Sequence, residues 1–221
     1  MSVAIAGNQF PAPAQKRAVA FIDGQKLFHA IKKCFNYTHP NYHVLKLSKA
    51  VCDLQGWELA QTRFYTGIPK PADNFHWNYF WQNKLRSMSR AGVKVFSRAL
   101  VYRTETIPLP NGRTHSFLYA QEKGVDVRIA LDLQRLAYRR EFDVAIIFSQ
   151  DQDLSEAARD VRELAAEQGR WVEVASAFPC SAVGGNRYGI GNTIPIEIRQ
   201  HVYDLCIDTY DYRPRHGNRP R

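Results

Sequence analysis

Long apolar runs are missing from this 221-residue chain. None approaches the ~20 residues that a bilayer-spanning helix needs, which excludes such a helix. Cysteine is scarce: Cys34, Cys52, Cys180 and Cys206 stand apart. No pair has the C-x-x-C spacing of a zinc or redox motif. The histidines form no metal-binding pair either, since His39 and His43 flank Pro40 in a poor helix. Residues 1–16 lack a basic start followed by an apolar core, so they do not read as a secretory signal. With Pro11 and Pro13 among small residues they read as a loose arm. Reduced thiols and a cytoplasmic location are the expectation. No glycine fingerprint follows the first strand-like run, which disfavours a dinucleotide-binding enzyme. Acidic residues are absent from Asn74 to Thr104.

What is present is a well-supplied core. The chain is 45% apolar and 12% aromatic, enough for one large domain and too much for global disorder. The expected organisation is the arm over 1–16, a domain over 17–211 and a basic flexible tail over 212–221. The formal net charge is +9, from 30 basic and 21 acidic residues. That excess favours a polyanionic partner.

Apolar runs at Ala18 to Ile22, Gln61 to Tyr65, Val93 to Phe96, Asp143 to Ser149 and Trp171 to Ala175 read as strands. Helical periodicity covers Lys26 to Phe35, Val44 to Leu54, Asp73 to Met88 with Asp73 as its cap, Val125 to Arg139 and Leu154 to Glu167. Ile196 to Leu205 reads as a last helix or strand. Pro110-Asn111-Gly112 separates two strand-like runs and predicts a β-hairpin insertion near residues 98–121. Alternating strands and helices imply an α/β fold with a mainly parallel sheet. Ligands of such sheets bind beyond the carboxyl ends of the strands. Two of the best strands end there in aspartates, at Ile22-Asp23 and Phe148-Ser149-Gln150-Asp151.

On the helix after the hairpin, Asp126 shares a face with Ile129, Ala130, Leu133 and Ala137, where a carboxylate needs a partner. Asp132 falls with Arg128, Arg135 and Arg139 and reads as a solvated ion-pair face. Asp153 and Glu156 match a capping box, whereas Asp151 has no such structural role. Asp23, Asp126, Asp151 and Asp153 together suit Mg2+ or Mn2+, which prefer carboxylate oxygens and water. A divalent cation neutralises clustered carboxylates, activates water for in-line attack on a phosphodiester and stabilises the leaving oxygen. An aspartate-nucleophile phosphatase would need a second carboxylate where Gln25 stands.

Three blocks carry a resemblance: Phe21-Ile22-Asp23-Gly24-Gln25; Lys123-Gly124-Val125-Asp126-Val127 running into Ala130-Leu131-Asp132-Leu133; and Val144 to Ser149 with Asp151 and Asp153. In this order and spacing they resemble the NYN domain, a branch of the PIN-like ribonuclease superfamily that includes LabA-like proteins. The resemblance implies a PIN-like three-layer α/β/α sandwich and metal-dependent RNA cleavage. It assigns Asp23, Asp126, Asp151 and Asp153 as the catalytic, metal-holding positions. Lys26 stands where many relatives have asparagine, and Gln150 and Leu154 where relatives often have glycine and phenylalanine. These departures suit the alternative, a non-catalytic RNA-binding or regulatory module on the same fold.

Single-stranded RNA is the expected partner, with a homodimer left open and no membrane. The acid-free stretch carries Lys84, Arg86, Arg90, Lys94, Arg98 and Arg103 among aromatics, a combination suited to phosphates and stackable bases. Lys26, Arg86, Arg90, Lys94 and Arg187, the last in a glycine-rich loop, are the candidate RNA contacts. Trp77, Phe80 and Trp81 read first as core residues of an amphipathic helix.

Overall fold

In the computed structural model the described residues are 10–109, 113–181 and 188–214. The Pro110-Asn111-Gly112 turn and residues 184–187 of the glycine-rich loop, Arg187 among them, lie outside them. Six strands form one sheet: β1 (Arg17–Asp23), β2 (Glu58–Ile68), β3 (Lys94–Ala99), β6 (Val144–Phe148), β7 (Glu173–Pro179) and β8 (Ile194–Ile198), in the order β3-β2-β1-β6-β7-β8. Every neighbouring pair in it is parallel. β4 (Val101–Pro108) and β5 (Thr114–Gln121) pair separately and antiparallel, as the predicted hairpin insertion.

Period-two burial of β1 builds two cores. Ala18, Ala20 and Ile22 face one, together with α1 (Gly24–Phe35), α2 (Val44–Gln55) and α3 (Phe75–Arg90). Val19 and Phe21 face the other, under α4 (Val125–Tyr138) and α5 (Ser155–Glu167). The result is the expected three-layer sandwich. Phe80, Trp81, Leu85 and Met88 of α3 are buried, as a core stripe should be. No helix among the described residues is long and apolar enough to cross a membrane. Cys52 and Cys206 are buried thiols.

Local chemistry shifts several boundaries. Asn74, not Asp73, caps α3, accepting from the Trp77 N–H at 3.1 Å. The segment read as a last helix or strand is both: β8 and then α6 (Gln200–Asp204). The packed chain reaches Tyr212, which is buried and meets Ser87, one residue past the domain end read from the sequence.

The largest correction concerns Asp132. It is 2% exposed, not solvated. Arg63 of β2 reaches its Oδ2 at 2.7 Å, Arg128 its Oδ1 at 2.9 Å, and the Tyr65 hydroxyl donates to Oδ2 at 2.9 Å. These contacts outweigh the upward push of burial and hold its pKa below the usual carboxylate value. Only the i−4 pair with Arg128 is visible in the sequence, because Arg63 comes from a strand 69 residues away. Lys84 is likewise buried, not part of an open basic surface. Its ammonium donates to the Tyr42 carbonyl at 3.0 Å, pairs with Asp208 at 3.3 Å and lies over the Tyr42, Phe80 and Tyr212 rings.

The strand order creates one topological switch. β1 connects onward to β2 on one side, while β6 occupies its other side, with Ile22 opposite Phe148. A crevice opens beyond the carboxyl ends at such a point.

Candidate metal and phosphodiester site

At that switch β1 runs directly into α1. Asp23 is the last residue of β1 and the N-cap of α1, its Oδ1 accepting from the Lys26 N–H at 3.0 Å. The Asp-Gly pair is therefore a strand-to-helix junction with no loop between. Gly24 makes the junction fit, since a Cβ there would lie 2.4 Å from the Phe64 ring.

Phe148 ends β6, and a 3-10 turn over Gln152–Leu154 leads into α5. Asp151 caps that turn, accepting from the Asp153 N–H at 3.3 Å. The capping role read for Asp153 thus belongs to Asp151, and Asp153 is left exposed. Asp126 sits in the first turn of α4, half-buried at the margin of the buried stripe of Val125, Ile129, Leu133 and Ala137.

All four aspartates line one cavity of about 390 Å³, together with Gln25, Lys26, His29, Gln121 and Glu122. Glu122 escaped the sequence reading because it precedes the Lys123-Gly124-Val125-Asp126 block. A carboxylate between the end of β5 and the start of α4 was the available signal. It accepts a hydrogen bond from the Gly67 N–H, an approach that any side chain at Gly67 would obstruct.

The cavity is electrostatically crowded. Burial pushes the Asp23 carboxyl up to about 6, with Asp151 adding repulsion against the opposing Lys26 contacts. Burial likewise pushes Glu122 up to about 7, reinforced by Asp23 and Asp126. Asp151 behaves differently. Lys26 Nζ lies 2.9 Å from its Oδ2 and holds it below the usual value despite burial. The same contact raises the Lys26 pKa.

The donors are carboxylate oxygens, as Mg2+ or Mn2+ requires. Among the described residues, no three His, Cys, Asp or Glu side chains are gathered closely enough to hold an ion directly.

The other candidate RNA contacts are not gathered here. Arg86 and Arg90 are exposed on the second half of α3, and Lys94 is exposed at the first residue of β3. β3 is parallel to β2 and β1, and Lys94 stands level with Arg63 and, through it, with Phe21, two residues before Asp23 and two strands away. Lys26 alone of the described candidate RNA contacts lines the acidic cavity.

A family model described as NYN domain matches residues 17–183. No curated protein matches the chain. Among solved structures the chain is similar to a protein of unknown function from Vibrio parahaemolyticus, with 13% identity and a TM-score of 0.45 over 92% of this chain and 99% of that one.

Proposed function

The chain belongs to the NYN domain family, and from that premise we propose that it is a divalent-metal-dependent ribonuclease. The family implies a PIN-like, nuclease-related fold and an RNA substrate. One observation carries the proposal: carboxylates from segments far apart in the chain line one cavity beyond the carboxyl ends of β1 and β6. Asp23, Asp126, Asp151 and Asp153 would hold Mg2+ or Mn2+, with Glu122 beside them. When bound, the cation neutralises these carboxylates and activates water for hydrolysis of the phosphodiester. Lys26 keeps Asp151 ionised and presents an ammonium to a substrate phosphate.

The test is cleavage of end-labelled single-stranded RNA with Mg2+, Mn2+ or a chelator. Metal-dependent cleavage is expected, with Asp151→Asn losing at least 100-fold in rate and keeping its melting temperature. Absence of cleavage with either metal, or cleavage that survives both chelator and Asp151→Asn, overturns the proposal.

A second reading is a non-catalytic RNA-binding module. The Lys26–Asp151 pair favours it, because an ammonium already neutralises a carboxylate that a metal would need. Calorimetric titration with Mn2+ separates the two. The nuclease reading expects Mn2+ to bind the unaltered protein, whereas the binding-module reading expects binding only after Lys26→Ala.

A further inference from the structure

A second cavity, of about 450 Å³, adjoins the acidic one and shares Lys26, His29 and Asp151 with it. It lies between α1 and the carboxyl ends of β6 and β7. Leu27, Ala30, Cys34, Ala177 and Pro179 are among its walls, and Lys33 stands on its border. The cavity persists because small side chains, Ala30 and Ala177, line both the helix and the strand side, where close packing would ordinarily place larger ones. The wall beyond β6 is held in place by backbone contacts. Gln150 Nε2 donates to the Tyr188 carbonyl at 2.7 Å, and Gln152 Nε2 to the Gly189 carbonyl at 3.0 Å.

We propose that this cavity takes the base and ribose of the nucleotide adjoining the scissile phosphate. The inference rests on the nuclease reading of the neighbouring site and adds a substrate pocket to it. Continuity supports it: a strand with one phosphate at Lys26 and the aspartates must pass its next nucleoside along α1. Charge supports it too. Lys26 and Lys33 are seven residues apart on α1, about 10 Å along its axis, so they flank the cavity with cations for the phosphates on either side of one nucleotide. The volume falls within the range of small-ligand pockets. The apolar walls meet the faces of a base, so the pocket accepts different bases.

Binding is measured in chelator with two probes, adenosine 5′-monophosphate and ribose 5-phosphate, which share the phosphate and differ by the base. The nucleotide is expected to bind at least 10-fold more tightly. Ala30→Phe fills the cavity from a half-buried helix position. It is expected to abolish that preference. Equal affinity for the two probes, or a preference that survives Ala30→Phe, overturns the pocket. Should Ala30→Phe not fold, amide chemical-shift mapping on the unaltered protein decides. Nucleotide-induced shifts centred on Ala30, Lys33 and Ala177 support the pocket, and shifts confined elsewhere overturn it. Base-dependent binding without RNA cleavage would refute the nuclease reading alone. Cleavage without base-dependent binding would refute the pocket alone.

Discussion

Replacing Asp23 by asparagine should expose the strain stored in the acidic cavity. The carboxyl is 1% exposed, and its pKa rises from 3.8 to about 6. The folded state therefore binds this proton more tightly than the unfolded chain does. The stabilisation is fully present below the unfolded pKa of 3.8 and is lost as pH rises through about 6. Between pH 5 and pH 8 the loss amounts to about 1 kcal/mol from this one group. Asparagine removes the titration and still caps α1, because its side-chain oxygen can accept from the Lys26 N–H. Urea unfolding in chelator at pH 5 and pH 8 is the assay. The unaltered protein should lose about 1 kcal/mol more across that interval than Asp23→Asn. For a chain of this length that difference corresponds to about 2–4 °C in melting temperature. Parallel pH profiles would refute the reasoning, as would an Asp23→Asn protein less stable at pH 8 by more than about 1 kcal/mol.

Asp132→Asn should destabilise the fold by about 2–3 kcal/mol, below the figure for a fully buried pair because Arg128 is partly exposed. Denaturant midpoints would measure this, and RNA cleavage per folded molecule should stay unchanged. Burial lowers the Lys84 pKa from 10.5 to about 8, so the unfolded chain binds more protons between those values. Stability should rise with pH through that window, and Lys84→Met should abolish the rise in a comparison of urea midpoints at pH 7.5 and pH 10. If Arg86, Arg90 and Lys94 hold RNA outside the acidic cavity, neutralising all three should lower the slope of log affinity against log salt by about 2, or ~0.7 per contact. Cleavage of oligonucleotides too short to reach from the acidic cavity to α3 should not change, and an unchanged slope with long RNA rejects these contacts.

Much of the fold was legible in the sequence, because short-range pattern decides it. The unbroken apolar run from Ala18 to Ile22 reports a strand covered on both faces, and an apolar run closing in Asp23 or Asp151 reports a strand end facing a polar crevice. Gly56 closing α2 was readable, whereas the caps read at Asp73 and Asp153 belong one or two residues away, to Asn74 and Asp151. The site was legible as a set of aspartates, but not as a geometry. That β1 lies beside β6 depends on strand order, which periodicity does not encode. Glu122 joined the cavity through the Gly67 backbone, 55 residues away. Asp132 went inward because Arg63 and Tyr65 wait on β2, and Lys84 because Asp208 and three aromatic rings close around its ammonium. A charged side chain enters a core only where distant groups compensate its lost hydration. The sequence therefore determined which residues carry charge and which segments are strand or helix, while tertiary contacts alone decided which charges are buried, paired or left facing the cleft.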